Sequence, residues 1–470
     1  MPEELAKLLA ESEQCYLIAP AGFGKTELIA QAVGMANNGK QLILTHTHAG
    51  VRSLKDRLKK RGTPQNNYDV DTIAGWALRI SSAYPKTSDL KINQPVGNQW
   101  NEVYESAVNL LKNPVLGLVI NHSYKGLYVD EYQDCILPQH KLILALSKML
   151  PTKILGDPLQ GIFDFGENQL VRWREDVDSQ FRRLPSPSVA WRWKDKNPKL
   201  GAWLTEVREL LVRGAVVDFR QAPVTWMRKD VNQHRKACFN LVQGKGSVLA
   251  IHTMANTAHS FARQLRGTFQ SMEEMESKDL LAWANSLEDQ AQGIGRAAVA
   301  LDGVVKCWIG VSTQLQNITK GLKVGKIVSS RKYISITELI TSMQESNDLS
   351  LVLQLMEFAT KVNGAILFRK ELWIDMLETI RIYLKGGYAS LVDTAWFIRN
   401  QARRRGRSVE YRTVSRNLLI KGLEFDHVIV LDADAFDAKN LYVALTRSTR
   451  TLTVFSDNPT IQCSPFSDLT

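Results

Sequence analysis

Ala19-Pro20-Ala21-Gly22-Phe23-Gly24-Lys25-Thr26 decides the fold of this chain. A short apolar run, Cys15 to Ile18, precedes it and a helix-patterned segment, Glu27 to Met35, follows, so the order reads strand, glycine-rich turn, helix. A loop that wraps a phosphate needs that context. Gly22 and Gly24 remove side chains where the backbone must bend around an anion, and successive N–H groups from Ala21 onward then face it, helped by the positive end of the following helix. Lys25 is placed to reach the β- and γ-phosphates of a nucleotide, and the Thr26 hydroxyl to ligate Mg²⁺. Ala19 stands where the strict pattern has glycine, so taken alone the stretch also reads as a plain turn before a helix.

The bulk composition bounds what surrounds this loop. With 470 residues, 44% hydrophobic and 23% charged, the chain is globular, with length for about two to four domains. Lys and Arg number 59 against 48 Asp and Glu, a formal charge of +11, which favours a polyanionic partner. The five cysteines form no C-x-x-C pair, so neither zinc nor an iron-sulfur cluster is signalled, and their odd number fits a reducing, cytoplasmic location. Nowhere do about 18 apolar residues run together, so no membrane span is expected.

Further along, Gln41 to Thr45 is a second strand, followed by a basic helix from Val51 to Arg61, and Asp69 to Ile80 has helical spacing. Residues 81–122 are polar, proline-punctuated and partly helical, like a small insertion. Tyr124 to Val129 ends in Asp130-Glu131, and Thr152 to Leu155 ends in Gly156-Asp157. Strands alternating with helices and ending in acidic residues argue for an open parallel sheet with its site at the strand C-termini. Leu184-Pro185-Ser186-Pro187 breaks the pattern and begins a second α/β unit, with strands expected at 224–228, 247–252, 427–431 and 451–455. Helix-forming sequence from 266 to 405 splits that unit. The basic run Arg403-Arg404-Arg405-Gly406-Arg407 reads as a solvated helix end or as a phosphate-backbone contact.

Asp130-Glu131 supplies what a phosphate loop needs beside it: one carboxylate to hold Mg²⁺ and a neighbour to orient or deprotonate water. The pair continues as Asp130-Glu131-Tyr132-Gln133-Asp134, and Gly156-Asp157-Pro158-Leu159-Gln160-Gly161-Ile162-Phe163 follows. In these segments the chain resembles the UvrD/Rep-like branch of superfamily 1A DNA helicases, whose second and third motifs read D-E-x-Q-D and G-D-x-x-Q-S-I-Y. Trp191-Arg192 is similar to the fourth motif, which implies an aromatic stacked on adenine and an arginine on the γ-phosphate. Lys421-Gly422-Leu423-Glu424-Phe425 matches the fifth, implying Gly422 and Glu424 beside the nucleotide. Tyr442-Val443-Ala444-Leu445-Thr446-Arg447 matches the sixth and implies Arg447 as the arginine finger.

The resemblance implies an α/β fold of two RecA-like P-loop NTPase domains with parallel sheets. Residues 1–184 form the first, with a small insertion at about 81–122; residues 185–265 and 406–470 form the second, divided by the helical insertion 266–405. Lys25, Glu131, Gln160, Arg192 and Arg447 are then the catalytic set, with Thr26 and Asp130 for Mg²⁺ and ATP held in the cleft between the domains. Thr45-His46-Thr47-His48 resembles the family's T-F-T-N segment and Asp71-Thr72 begins its G-T-F-H motif, both implied to hold single-stranded DNA. His46 and His48 also read as a metal pair, although no Cys or acidic cluster accompanies them. Phe163 and Phe165 read as base-stacking aromatics or as core.

Departures accompany the match. Glu3 stands near where the family carries an adenine-reading glutamine, Glu27 replaces the arginine after G-K-T, and Leu418-Leu419-Ile420 replaces the H-S-A that precedes K-G. The expectation is a cytoplasmic 3′–5′ translocase or helicase acting on single-stranded DNA or tailed duplexes, in DNA repair, recombination or phage biology, with no membrane role. Its rival is a nucleic-acid-gated ATPase that regulates a protein partner and unwinds little, as in Gabija-type antiphage defence.

Overall fold

The computed structural model describes residues 3–36, 39–92, 95, 97–163, 169–274, 277–290, 293–346, 348–405, 409–466 and 468. Packing divides the chain into two compact units, one of Met1–Arg228 with Ala433–Thr470 and one of Lys229–Asp432.

The first unit is built on a six-stranded sheet. Its strands are β1 (Gln14–Ile18), β2 (Gln41–Thr45), β3 (Tyr68–Thr72), β4 (Gly126–Val129), β5 (Thr152–Gly156) and β6 (Arg182–Arg183), in the order β3-β2-β4-β5-β1-β6. Every pairing is parallel. A parallel sheet covered on both faces buries nearly every position, and β2, β4 and β5 are buried throughout and β1 in all but Gln14, with apolar runs flanked by the buried polar residues Gln41, Thr45, Thr152 and Lys153. Alternate residues enter opposite cores. Tyr16, Ile18, Leu42, Leu44, Leu127, Val129 and Ile154 meet the helices Ile73–Ala83, Gln99–Leu111 and Leu137–Ser147 on one face. Cys15, Leu17, Ile43, Tyr128 and Leu155 meet Glu3–Glu11, Lys25–Met35 and His48–Lys60 on the other.

One element differs from the sequence reading. Tyr68–Thr72, whose latter part was expected to start a helix, is the edge strand β3, and the helix begins at Ile73. Val70 and Thr72 point inward while Asp69 and Asp71 stay half-buried, with Arg79 3.6 and 3.1 Å from their carboxylates. Alternation over five residues is too short to outweigh the helical spacing that follows it.

After β6 the first unit continues with β7 (Val216–Asp218) and β8 (Thr225–Arg228). The second unit contains β9 (Val248–His252), β10 (Gln270–Ser271), β11 (Trp308–Ile309), β12 (Ile366–Leu367), β13 (Arg412–Arg416) and β14 (Phe425–Val430). The chain then supplies the first unit with β15 (Ser448–Ser456) and β16 (Thr460–Gln462). The second sheet also has six strands. Four of them run β10-β13-β9-β14 in the second unit, and β15 pairs in parallel with β8 in the first. Strand β13 carries Thr413 and Ser415 into the core between arginines, a polar composition that hides it in the sequence.

From Lys278 to Arg405 the second unit is mostly helical, around a core of its own that includes Trp283, Leu301, Val304, Leu355, Met356, Met376 and Ile380. The fold is therefore α/β, two parallel six-stranded sheets of the RecA-like kind, with a small helical insertion before β4 and a larger one before β13. No helix among the described residues is long and apolar enough to cross a membrane.

Candidate nucleotide site

The loop after β1 is shaped by its two glycines. Gly22 and Gly24 take φ of +78° and +81°, in the left-handed region where a side chain is costly, and the helix Lys25–Met35 starts directly after Gly24. The loop is internally tied. Lys25, almost wholly buried, donates from Nζ to the Ala19 carbonyl at 3.1 Å and lies 3.9 Å from Glu131 Oε1. The Ala21 N–H donates to the Tyr442 hydroxyl at 3.1 Å.

Beside the loop, at the end of β4, Asp130 is buried and its Oδ2 accepts from the Thr26 hydroxyl at 3.0 Å. Burial, and then the adjacent Glu131 carboxylate, push the Asp130 carboxyl up to about 7, against the pull of Lys25, the Thr26 hydroxyl and the Glu131 N–H. Two oxygen donors side by side, one of them an anion held at such cost, suit a hard cation such as Mg²⁺. Glu131 sits at φ +57°, a left-handed conformation that few residues with a side chain adopt. Gln133 fixes its carboxylate: the amide donates to Glu131 Oε2 while its oxygen accepts the Asp157 N–H at 3.0 Å. Gly156 has to be glycine for this, since a Cβ there would stand 2.7 Å from Gln133 Oε1.

A buried chain of polar groups leads on from Asp157. Arg208 Nη2 donates to one of its oxygens at 2.8 Å, and Gln160 Nε2 donates to the other at 3.0 Å. Burial opposes the Arg208 charge, but Asp157 outweighs it and raises the guanidinium further above its ordinary range. Gln160 Oε1 in turn accepts from Arg447 Nη2 at 3.5 Å, and Arg447 Nε donates to the Val443 carbonyl at 2.8 Å. Arg192 donates to the Thr446 carbonyl at 2.6 Å, and its backbone N–H donates to Gly22 O at 3.1 Å. Trp191 is half-buried, with the Lys194 ammonium 4.6 Å from its ring centre and no hydrogen-bond partner on its indole N–H.

The first unit thus brings Ala21, Gly22, Gly24, Lys25, Thr26, Asp130, Glu131, Gln160, Arg192 and Arg447 into one connected network. Gly422, with φ +80°, and exposed Glu424 belong to the second unit, in the turn before β14. Four members of the network were not singled out from the sequence: Gln133, Trp193, Arg208 and the Tyr442 hydroxyl. Trp193 is buried under the loop, its indole N–H donating to the Ser448 carbonyl at 2.6 Å. The Y-x-x-x-x-R spacing that marked Arg447 was the one available signal for Tyr442.

The expected strand-binding residues fall at the C-terminal ends of β2 and β3, where Thr45 and Thr72 are register partners. Thr47 and Thr72 each cap a helix, accepting the N–H of Gly50 at 3.0 Å and of Gly75 at 2.9 Å. Two helix N-termini therefore stand side by side, a setting that favours anions. His46 is half-buried with Nε2 3.4 Å from Cys135 Sγ, and His48 is exposed. Phe163 is half-buried, and Phe165 lies outside the described residues.

The second unit holds the one group among the described residues with metal-ligand proximity: His259, Glu273 and Asp279, whose donor atoms lie within 4.8 Å of one another. Arg369 already occupies it, donating to Glu273 at 2.7 and 2.5 Å and to Asp279 at 2.7 Å. A guanidinium in that place makes it a buried ion-pair network that joins β10 to the helical part of the unit.

No protein-family model matches the chain, and no curated protein matches it in sequence. Among solved structures, the chain is similar to Pif1 helicase from Candida albicans, at 10% identity and TM-score 0.43, covering 98% of this chain and 94% of that one. It is also similar to Arterivirus nonstructural protein 10, a helicase solved with DNA, at 12% identity and TM-score 0.36. The DEAH/RHA helicase HrpB from Escherichia coli gives 11% and 0.39. The match covers 96% and 97% of this chain but only 62% of the arterivirus chain and 42% of HrpB. At these identities and TM-scores, function has to be argued from the residues themselves.

Proposed function

We propose that the chain is a Mg²⁺-dependent ATPase that couples hydrolysis to movement along single-stranded DNA, as a translocase or helicase of the UvrD/Rep-like kind travelling 3′ to 5′. The observation that carries the reading is the pairing of Thr26 with Asp130 beside a glycine-shaped loop whose lysine lies next to Glu131. The loop N–H groups and the start of helix Lys25–Met35 receive phosphate oxygens, and Lys25 gives up its bond to Ala19 for them. Thr26 and Asp130 hold Mg²⁺, which when bound neutralises phosphate charge. Glu131 orients the attacking water. Gln160 and Arg447 connect that water to the charge developing on the transferred group, where an inserted arginine contributes roughly 10³ to 10⁵ in rate. Trp191 stacks on the base, Arg192 reaches the γ-phosphate, and Gly422 and Glu424 serve the ribose side. Thr45, His46, Thr47, His48, Thr72, Phe163 and Phe165 hold the strand. The RecA-like boundaries are those given from the sequence, with a cytoplasmic location.

A second reading has its own support. The Ala21 N–H donates to Tyr442 and Lys25 to Ala19, two bonds that a phosphate would have to displace. A protein gated in this way suits an ATPase switch that waits for nucleic acid and regulates a protein partner, as in antiphage defence. Separation of forked duplexes by the purified chain with ATP would eliminate it.

The test is ATP hydrolysis with and without single-stranded DNA, alongside Lys25→Ala and Arg447→Ala. Stimulation lost in both variants supports the motor. Hydrolysis indifferent to DNA counts against it.

A further inference from the structure

We propose that the outward face of the helix His48–Lys60 is a docking surface for double-stranded nucleic acid, contacted through its phosphate backbone; the inference rests on the reading of the chain as a nucleic-acid motor. Leu54 and Leu58 are fully buried and fix which side of this helix faces the core. At about 100° per residue, Arg52, Lys59 and Lys60 fall on the opposite side and Lys55 on its flank, about 80° from the buried leucines. All four are exposed.

The helix and the residue after it carry six basic side chains against Asp56 alone. Two of the six are already engaged. Arg57 Nη1 donates to Glu27 at 2.8 Å and Arg61 Nε at 2.7 Å, which ties this helix to the one bearing Lys25 and Thr26. Among the described residues no ion pair or hydrogen bond involves the side chains of Arg52, Lys55, Lys59 or Lys60. Four cations outside any ion pair therefore lie along this exposed side, with the single carboxylate of Asp56 among them. From Arg52 to Lys59 they span about 10 Å, on the order of a groove width of duplex DNA.

The face presents no aromatic side chain to stack on a base, and no Asn or Gln to read a base edge. Its chemistry fits phosphates whose bases are turned inward, the condition of a duplex. The helix is also capped by Thr47, within the segment proposed to hold the single strand. One tailed nucleic acid can thus engage both, its paired part on this face and its tail at Thr45 to His48.

The experiment measures binding of a short blunt DNA duplex to the full chain between 50 and 200 mM salt, a range set by counterion release. The Arg52→Gln/Lys55→Gln/Lys59→Gln variant is compared with Lys320→Gln/Lys323→Gln/Lys326→Gln, which removes equal charge from exposed positions of the second unit. The expected result is that the first variant loses about 2.7 from the slope of log K against log salt, three contacts at about 0.9 each, and the second loses none. An unchanged slope in the first variant, an equal loss in both, or wild-type binding without salt dependence overturns the proposal. Hydrolysis stimulated by single strands, measured beside it, reports on the motor separately: its absence in the wild type defeats that reading while the duplex slope still judges the face.

Discussion

The indole of Trp193 fills the space that a side chain on Gly22 would need. A Cβ on Gly22 would stand 2.6 Å from Trp193 Cζ3 and 2.9 Å from Cη2, and Gly22 has φ +78°. The glycine-shaped loop is thus moulded from below by a residue distant in sequence, whose own position is fixed by its bond to Ser448.

Gly22→Ala should displace the loop, because both backbone and packing oppose the new methyl. Overpacking of this kind costs about 1–3 kcal/mol, and the expected readout is at least tenfold weaker binding of a fluorescent ATP analogue. Trp193→Leu in the same background removes the obstructing ring and should recover part of the loss. The double-mutant cycle should show coupling of about 0.5 kcal/mol or more. Strict additivity would mean that the contact does not shape the loop.

Much of this site was legible because its parts are local. Gly22-Phe23-Gly24-Lys25-Thr26 and Asp130-Glu131 lie at strand ends, where turn chemistry and spacing suffice to place them. Strands β1, β2 and β5 likewise stood out because burial on both faces gives each a compact apolar run. What the sequence hid was long-range or polar. Trp193 and Tyr442 meet the loop across the fold, so no spacing announces Trp193, and Tyr442 is signalled only by its place in the motif that ends in Arg447. Strand β13 is sandwiched between β10 and β9 yet carries Thr413 and Ser415, so its composition resembles a loop.

Arg208→Met should be the most destabilising change near the site that leaves the loop and carboxylates in place. Asp157 is fully buried, and losing Arg208 strands its charge with the Gln160 amide and its own backbone surroundings. Breaking one side of such a pair costs about 3–5 kcal/mol. Adding Asp157→Asn should restore part of that, because the charge is gone. Urea denaturation followed by circular dichroism gives both numbers, and a double variant no more stable than Arg208→Met would show that the ion pair is not what Arg208 supplies.

Stability should fall as the solution is acidified below about pH 6.5. Burial holds the pKa of His140 below its ordinary value, against the opposing pull of Asp176, and His140 Nδ1 lies 2.7 Å from the Tyr132 hydroxyl. His234, His252 and His259 are lowered in the same direction, again with burial foremost. Each of these imidazoles binds a proton in the unfolded chain at a pH where the folded one does not. The unfolded state therefore holds more protons, and stability present above the unfolded pKa is lost as pH falls from there through the lowered folded pKa. His140→Gln should flatten the melting-temperature profile between pH 7 and 5, a window set by the histidine pKa. A profile as steep as the wild type would assign the acid sensitivity to other groups.

Glu131 combines its proposed chemical role with a left-handed backbone, and two substitutions separate them. Glu131→Gln keeps the side-chain shape and the left-handed φ of +57° but removes the charge that would orient or accept a proton from water. Hydrolysis should fall about 10² to 10⁴-fold, the range for losing a general base. Nucleotide affinity should hold within a few fold, because Lys25 loses only its 3.9 Å ion pair to Glu131 while the loop, the Lys25 bond to Ala19 and the Thr26–Asp130 pair remain. Glu131→Gly should abolish hydrolysis to a similar degree, yet relieve the left-handed conformation and stabilise the fold by about 1 kcal/mol. Single-turnover hydrolysis beside thermal melting distinguishes the cases. If Glu131→Gln hydrolyses ATP at close to the wild-type rate, the water is handled elsewhere, and Gln133, which already grips this carboxylate and the Asp157 backbone, becomes the residue to test.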